Sequence, residues 1–374
     1  MARVHVTTFV TVCLVALVLY ILYFHTPQAD EEEIDPPAAI KDIHIGGVPA
    51  NSAYRDSPQG LPSKNVTKGS GQDGTVNVLL CSDGSTLGGM VAAMNSIYLN
   101  SRAKIKFYLV VDKDSLDHLS KWITQSSLKD LDYTIKVFDE SWVKDKITFR
   151  DRRMELGSPL NYARLYFPRI FPDLKGRVIF VDSDTITQGD IVELNATKLE
   201  PGHAVAFSDD CSAVTSRYGI IINKYASFLN FQNEKLKALG LNPMECSFNT
   251  GVFVVDVAEW KKQNVTARLD YWVTVNSKED VYGNQRGGGH SGPPMLIVFY
   301  KKYTAIPPEW HIRHLGVTTG ARYSEAFLKA AKLLHWNGRF KPWGHNSQHT
   351  LVWEKYYVHD PTGEFQIARR YGNV

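Results

Sequence analysis

Between Arg177 and Asp190 the chain reads RVIFVDSDTITQGD, an apolar run from Val178 to Val181 that ends in two aspartates one residue apart. A buried strand needs polar turn residues at its end, and one acid or none is enough for that. Asp182 and Asp184 together at the mouth of a hydrophobic strand repel each other unless a cation sits with them or both reach water. Three chemistries use such a pair. A phosphohydrolase with a strand-end D-x-D takes the first Asp as nucleophile, but that pattern wants Thr or Val where this chain has Ile186. A calcium loop demands further acids and a Gly at fixed spacing, which TITQG does not supply. The third is a divalent cation held for a nucleoside diphosphate, with two carboxylates on Mn²⁺ or Mg²⁺ and diphosphate oxygens in the remaining positions.

The third chemistry needs another ligand and a cation for the phosphates, and LLHWNGRFKPW offers both. His335 is an imidazole that beside carboxylates suits Mn²⁺ better than Mg²⁺. Gly338 lets backbone approach a diphosphate, and Lys341 neutralises it as a point charge. Each has a plainer reading alone: His335 between Leu334 and Trp336 as a core histidine, and Lys341 before Pro342 as a solvated lysine.

These residues need elements to position them. The 374 residues are 44% hydrophobic and 22% charged with a formal charge of +3, an ordinary globular balance without a basic block, so nucleic acid is not expected as a partner. Residues 1–5 form a short tail. Val6 to Phe24 carries no charge, Pro or Gly over roughly the 20 residues that a membrane-spanning helix needs. It reads as a retained signal-anchor (residues 6–24), with a cleaved signal peptide as the alternative, and Arg3 before it favours a cytoplasmic N-terminus. Residues 25–75 shift to Asp, Glu, Pro, Gly and Ser, the composition of a stem.

From VNVLLCSD (Val76 to Asp83) strands and helices alternate: GGMVAAMNSIYLN as helix, IKFYLVVD as strand, SLDHLSKWITQSSL as helix, YTIKVFD as strand, YARLYFPRIFPDL as helix and RVIFVDSD as strand. Continuous apolar strands alternating with helices predict an α/β fold around a parallel sheet covered on both faces, with ligands at the carboxyl ends of the strands. Asp83, Asp112, Asp139 and Asp182 lie at such ends, and for Asp112 and Asp139 a helix-capping role is sufficient. Beyond them, HAVAFSDD reads as a strand, TGVFVVDVAEW as a strand running into a helix through KKQNVTARLDYWVTV, and FLKAAKLLHW as a helix or strand. NQRGGGHSGPP is a Gly-rich loop without the G-K-[ST] of a phosphate cradle. Residues 345–374 read as a C-terminal extension packed on the domain. Sequons at Asn65, Asn195 and Asn264 agree with an extracytoplasmic side. Cys211 and Cys246 are compatible with one disulfide or with two free buried thiols.

The order LLCSDGS, LNYARLYFP, VIFVDSD, FNTGVFVVD and LLHWNGRFKPW resembles glycosyltransferase family 8, a retaining family, over roughly Val76 to Gly344. The resemblance implies a GT-A fold over residues 76–344, a mixed and mostly parallel Rossmann-like sheet flanked by helices, behind a single transmembrane helix. It implies a UDP-sugar donor and Mn²⁺ (or Mg²⁺). Carried over by motif, Asp182, Asp184 and His335 would hold the metal, and Asp83 and Ser85 would touch uridine. Arg164 would position the donor or neighbouring carboxylates, and Asn249 would face the donor sugar. Gly338 and Lys341 would meet the diphosphate, Lys341 also helping catalysis, and Asp209 in AFSDD would lie near the sugar or acceptor. The layout is that of a single-pass type II membrane protein of the Golgi, or else of the endoplasmic reticulum, with its domain lumenal and a glycan, protein or lipid as acceptor.

One departure bears on function. Many relatives carry a D-Q-D type segment after FNTG, whereas this chain has HSGPPMLIVFY there, with no acid or amide to read the sugar. Two readings therefore stand beside a transferase: a lumenal nucleotide-sugar-binding protein without transfer activity, and the strand-end phosphohydrolase.

Overall fold

The computed structural model describes residues 74–147, 157–209, 211, 223–283, 291–318 and 323–368. The segment Val6 to Phe24 and Asn65 lie outside them, and among the described residues no helix is long and apolar enough to cross a membrane. The first half alternates as its apolar pattern predicts. It runs β1 (Val76–Ser82), α1 (Leu87–Asn100), β2 (Ile105–Val111), α2 (Ser115–Thr124), β3 (Asp132–Val137), α3 (Ala163–Ile170) and β4 (Arg177–Val181). These four strands lie parallel in the order β3-β2-β1-β4. Asp112 accepts from the Ser115 backbone N–H (2.9 Å) at the start of α2, and Asp139 accepts from that of Ser141 (3.1 Å), so both act as caps.

A second half completes the sheet: β5 (Thr185–Thr187), α4 (Ile191–Asn195), β6 (Val205–Asp209), α5 (Glu234–Ala238), β7 (Phe248–Asp256), α6 (Val257–Lys262), α7 (Val265–Lys278), α8 (Gly292–Val298), β8 (Thr304–Ala305), α9 (Glu325–Ala330), β9 (Leu333–His335) and α10 (Thr350–Glu354). The seven-stranded order is β3-β2-β1-β4-β7-β6-β8, and β7 runs antiparallel to both neighbours. The sheet is therefore mixed and mostly parallel, with four of its six strand pairings parallel and β7 alone reversed; apolar runs mark burial on both faces and do not encode strand direction. Two expected elements are subdivided. The helix through KKQNVTARLDYWVTV breaks into α6 and α7 at Asn264, whose left-handed φ of 51° an asparagine tolerates. FLKAAKLLHW holds both candidates in turn, α9 and then β9. Of the Gly-rich stretch, residues 284–290 lie outside the described residues; Ser291 leads into α8, whose Pro293 and Pro294 fill first-turn positions that need no N–H partner.

Alternation along the strands divides the core. Leu79, Val178 and Phe180 pack on one face of the sheet, while Val78, Leu80, Ile179 and Val181 pack on the other. A third cluster, with Ala92, Ile186, Leu334, Trp336 and Trp353, lies behind a small two-stranded sheet of β5 and β9. The C-terminal segment closes over it: Trp353 is fully buried and Asn95 donates to the Tyr356 carbonyl (2.9 Å). Of the two cysteine states the structure shows the disulfide, with the Cys211 and Cys246 Cα atoms 5.7 Å apart. Asn264 is exposed, whereas Asn195 is half-buried and its side-chain oxygen is enclosed without a partner.

Helix α1 presses directly on the turn between β4 and β5. A Cβ at Gly89 would lie 2.6 Å from the Ser183 carbonyl oxygen and against the Trp343 ring. Gly89→Val is expected to destabilise the domain by about 1–3 kcal/mol through overpacking. Chemical denaturation measures this, and an unchanged midpoint would show that α1 does not set the position of that turn.

Candidate functional site

Four elements deliver side chains to one cleft. β4 is buried throughout its last four residues, so Asp182 and Asp184 emerge where the sheet meets that cleft. β5 follows at once, and its antiparallel register with β9 pairs Thr185 with His335. The Trp336 N–H donates to the Asp184 carbonyl (2.9 Å). This register places an imidazole beside acids 151 and 153 residues earlier in the chain. β7 contributes because it is reversed: its first residues, not its last, lie at the mouth of β4, and the Asp182 N–H donates to the Gly251 carbonyl (2.8 Å).

The electrostatics follow from burial. Asp184 is 5% exposed, His335 2% and Arg164 9%. His335 Nε2 is 2.9 Å from Asp184 Oδ1 and 3.8 Å from Asp182 Oδ2. Arg164 reaches Asp182 Oδ1 at 2.8 Å, donates to the Thr250 carbonyl (3.1 Å) and lies over the Phe180 ring at 4.5 Å. Lys341 pairs with the other oxygen of Asp184 and lies 3.4 Å from the Trp336 carbonyl. Burial raises the pKa of Asp182 and the charge of Asp184 adds to this, both working against Arg164. Burial also works against ionised Asp184, but Lys341 and His335 overcome it and hold that carboxyl well below the usual range. Burial pushes the Cys81 thiol on the cleft wall up to about 12, so it stays protonated and unreactive.

The cleft encloses about 360 Å³ at the carboxyl ends of β1 and β4. Asp83, Ser85, Arg164, Asp182, Asp184, Asn249, His335, Gly338 and Lys341 all line it. Asp83 Oδ1 accepts from the N–H and hydroxyl of Ser85 (3.1 and 2.6 Å), a local turn that fixes both at the end of β1. The Asn249 side-chain oxygen accepts from the Gly251 N–H (2.8 Å). Gly338 has a φ of 122°, and a Cβ there would meet the Gly316 backbone, so the chain's own close approach already requires glycine. Asp209 stands elsewhere: it is not among the lining residues, its carboxylate accepts from the Cys211 N–H (2.6 Å), and Arg313 donates to its carbonyl (2.8 Å). Ser291, Gly292 and Pro293 form the wall where an acid or amide was missing from the sequence.

Two further residues shape the site. A Cβ at Gly251 would lie 2.6 Å from Asp182 Oδ2 and against the His335 ring, so that glycine makes the acid–imidazole approach possible. His311 Nε2 is 2.8 Å from His335 Nδ1. Neither has a local signal; each depends on strand register.

Two groups of described side chains have metal-ligand spacing. Asp209, Cys211 and Cys246 do not qualify, because both sulfurs are in the disulfide. Asp182, Asp184 and His335 offer one atom each, all within 4.8 Å of one another. Two carboxylates and one imidazole suit a divalent ion of the Mn²⁺ type, so the residues fit the expected metal.

The pKa directions make a prediction for the metal-free protein. Asp184 has a folded pKa below its unfolded value. Its contribution is complete above about pH 4 and fades as pH falls, because the unfolded chain then takes up a proton that the folded chain refuses. Asp182, whose folded pKa is raised, contributes in the opposite sense, losing stabilisation as pH rises. Between pH 5 and 3 the wild type is expected to lose stability more steeply than Asp184→Asn, by up to about 1.4 kcal/mol per pH unit for one proton. Equal slopes in denaturant titrations would contradict the assignment.

Comparison with known proteins bears on the family and the fold. Residues 77–347 match the family model described as glycosyl transferase family 8. Glycosyltransferase 8 domain-containing protein 1 of Xenopus laevis is 38% identical over 99% of this chain and 100% of its own length. That of Danio rerio is 46% identical over 79% and 81%, and human protein 2 of the same designation is 42% identical over 87% and 92%. Among solved structures, the bifunctional glycosyltransferase WbbM superposes with a TM-score of 0.56 at 22% identity, over 77% of this chain and 50% of that one. The galactosyltransferase LgtC, in complex with donor and acceptor sugar analogues, superposes with 0.54 at 13% identity, over 75% and 95%. These two likenesses show a GT-A-like fold, while the family match and the close relatives place the chain as a whole: it belongs to glycosyl transferase family 8.

Proposed function

We propose that the chain moves a hexose or pentose from a UDP-sugar to an acceptor hydroxyl with retention of configuration, in a divalent-metal-dependent reaction. The observation that carries this reading is the pair Asp182 and Asp184 with His335, gathered at the strand ends of the cleft with Asp184 and His335 buried and Asp182 half-buried. A bound Mn²⁺ would supply Lewis-acid stabilisation of the charge that develops on the departing nucleoside diphosphate. The chain's own groups do the rest. Arg164 holds Asp182 in place, leaving its second oxygen toward His335. Lys341 is paired with Asp184 and is the mobile cation of the site, able to turn to a diphosphate once Asp184 has another positive partner. Asp83 and Ser85 offer the uridine end polar groups already fixed by their turn, and Asn249 faces the sugar end.

With the acceptor hydroxyl attacking on the face of the leaving phosphate, no protein nucleophile is required. That suits a wall made of Ser291, Gly292 and Pro293. The phosphohydrolase reading gives His335 and Lys341 no role, yet both touch Asp184. The wall does favour one second reading, a nucleotide-sugar-binding protein without transfer. The proposed setting is a type II protein of the Golgi with its domain lumenal. The apolar stretch of residues 6–24, the exposed sequon at Asn264 and the disulfide, a bond of oxidising compartments, support it.

Calorimetric titration of the full chain with UDP tests the proposal. Binding is expected with Mn²⁺ and not with chelator. In Asp184→Asn and His335→Ala it is expected to weaken by more than the about 10- to 100-fold typical of losing an outer partner alone. Metal-independent binding, or none in folded protein, would sink the metal–nucleotide assignment; intact binding with no turnover on any UDP-sugar would select the second reading. Asp209→Asn keeps an acceptor for the Cys211 N–H, so it removes charge without removing the turn. The proposal places Asp209 on the acceptor side and expects turnover to fall, and unchanged turnover would remove it from the reaction.

A further inference from the structure

His335 faces two acids through Nε2, and its other nitrogen is also engaged. His311 Nε2 lies 2.8 Å from His335 Nδ1, with the two rings 12° from parallel and their centroids 5.1 Å apart. That separation is one hydrogen bond plus two ring radii, so the bond runs in the plane of both rings, along the lone pair of whichever nitrogen accepts. The backbone leaves little slack. The Ile312 N–H donates to the Leu333 carbonyl (2.9 Å) and the His335 N–H donates to the Ile312 carbonyl (2.8 Å), holding the His311 segment as a parallel neighbour of β9. Trp310 and Ile312, on either side, are buried.

His311 is an expensive residue to bury there. It is 3% exposed, and its Nδ1 has no hydrogen-bond partner. An apolar side chain would fill the space without an unpaired nitrogen. What an apolar side chain cannot do is accept a proton bond from His335.

A histidine that ligates metal through Nε2 carries its proton on Nδ1, and that N–H takes an acceptor which fixes both tautomer and ring orientation. The nitrogen within hydrogen-bond distance of His335 Nδ1 is His311 Nε2. The geometry points to His311 as the positioning residue of the site: by accepting the Nδ1–H of His335 it holds the tautomer that turns the Nε2 lone pair toward Asp182 and Asp184. This rests on the reading that those three residues take a divalent cation. A carboxylate commonly fills the acceptor role. Here it would be a further negative charge beside two acids, and an imidazole, which carries none, performs the same task without that repulsion.

The test uses Mn²⁺ as probe and the full chain. Free Mn²⁺ is counted by electron paramagnetic resonance in wild type, His311→Phe, His311→Gln and His335→Ala. His311→Phe keeps a flat ring but no acceptor, and its Mn²⁺ affinity is expected to fall about 10- to 100-fold. His311→Gln restores an acceptor oxygen and is expected to recover most of that loss, which a change in packing alone would not do. Should His311→Phe fail to fold, the wild type decides by itself. With diamagnetic Mg²⁺ bound, ¹⁵N imidazole resonances are expected to show His335 protonated at Nδ1. Wild-type affinity in His311→Phe would overturn the inference and leave the metal site standing; His335 protonated at Nε2 in the loaded protein would overturn the inference and remove His335 from the ligand set as well. Mn²⁺ uptake that is absent in wild type, or unchanged in His335→Ala, would overturn the proposed function and this inference with it.

Discussion

Two carboxylates one residue apart, Asp182 and Asp184, share the end of a buried strand, and much of the cleft is arranged around that fact. Removing a charge from water costs several kcal/mol even after relaxation, and a second like charge nearby adds to it. The chain meets this cost with separate partners: Arg164 on Asp182, and Lys341 with His335 on Asp184. Two acids face one arginine and one lysine, so the carboxylates have counter-charges without a metal. A divalent cation and a diphosphate are also charges of opposite sign, and they can enter together with the balance kept.

The fold supplies these partners from distant parts of the chain. The parallel pairing of β1 with β4 brings their ends to one edge, where an α/β sheet ordinarily binds ligands. Reversal of β7 adds Asn249 to Gly251 at the same edge, since an antiparallel strand begins where its neighbours finish. The β5–β9 pair then sets His335 against Asp184, and the third core, with Trp336 and Trp353 buried in it, keeps that small sheet in place. Glycines stand where the parts touch most closely: Gly89 under the acid turn and Gly251 between Asp182 and the His335 ring.

Much of this was legible in the sequence, for identifiable reasons. Burial on both faces writes a strand as a continuous apolar run, so β1, β2 and β4 and the acids that end them could be read directly. His335, Gly338 and Lys341 were legible because a charge pair at a strand end requires counter-charges, and LLHWNGRFKPW holds them in a short span. What could not be read depends on register between remote segments. His311 sits in a segment with two histidines, and only its alignment with β9 distinguishes it from His314. Gly251 looks like any strand glycine until the His335 ring is seen beside it. The direction of β7, the break at Asn264 and the pairing of Cys211 with Cys246 are likewise tertiary facts, unresolved by local pattern. Gly338 carries a different lesson: the sequence suggested diphosphate contact, and the structure supplies an additional reason in the close pass of Gly316.

The most direct measurement is crystallographic: crystals of the full chain grown with Mn²⁺ and UDP, with diffraction recorded at the manganese absorption edge. The account predicts one anomalous peak within ligand distance of Asp182, Asp184 and His335, with Lys341 drawn from Asp184 toward the diphosphate. UDP seated in the cleft with no anomalous peak, and Lys341 still on Asp184, would contradict it.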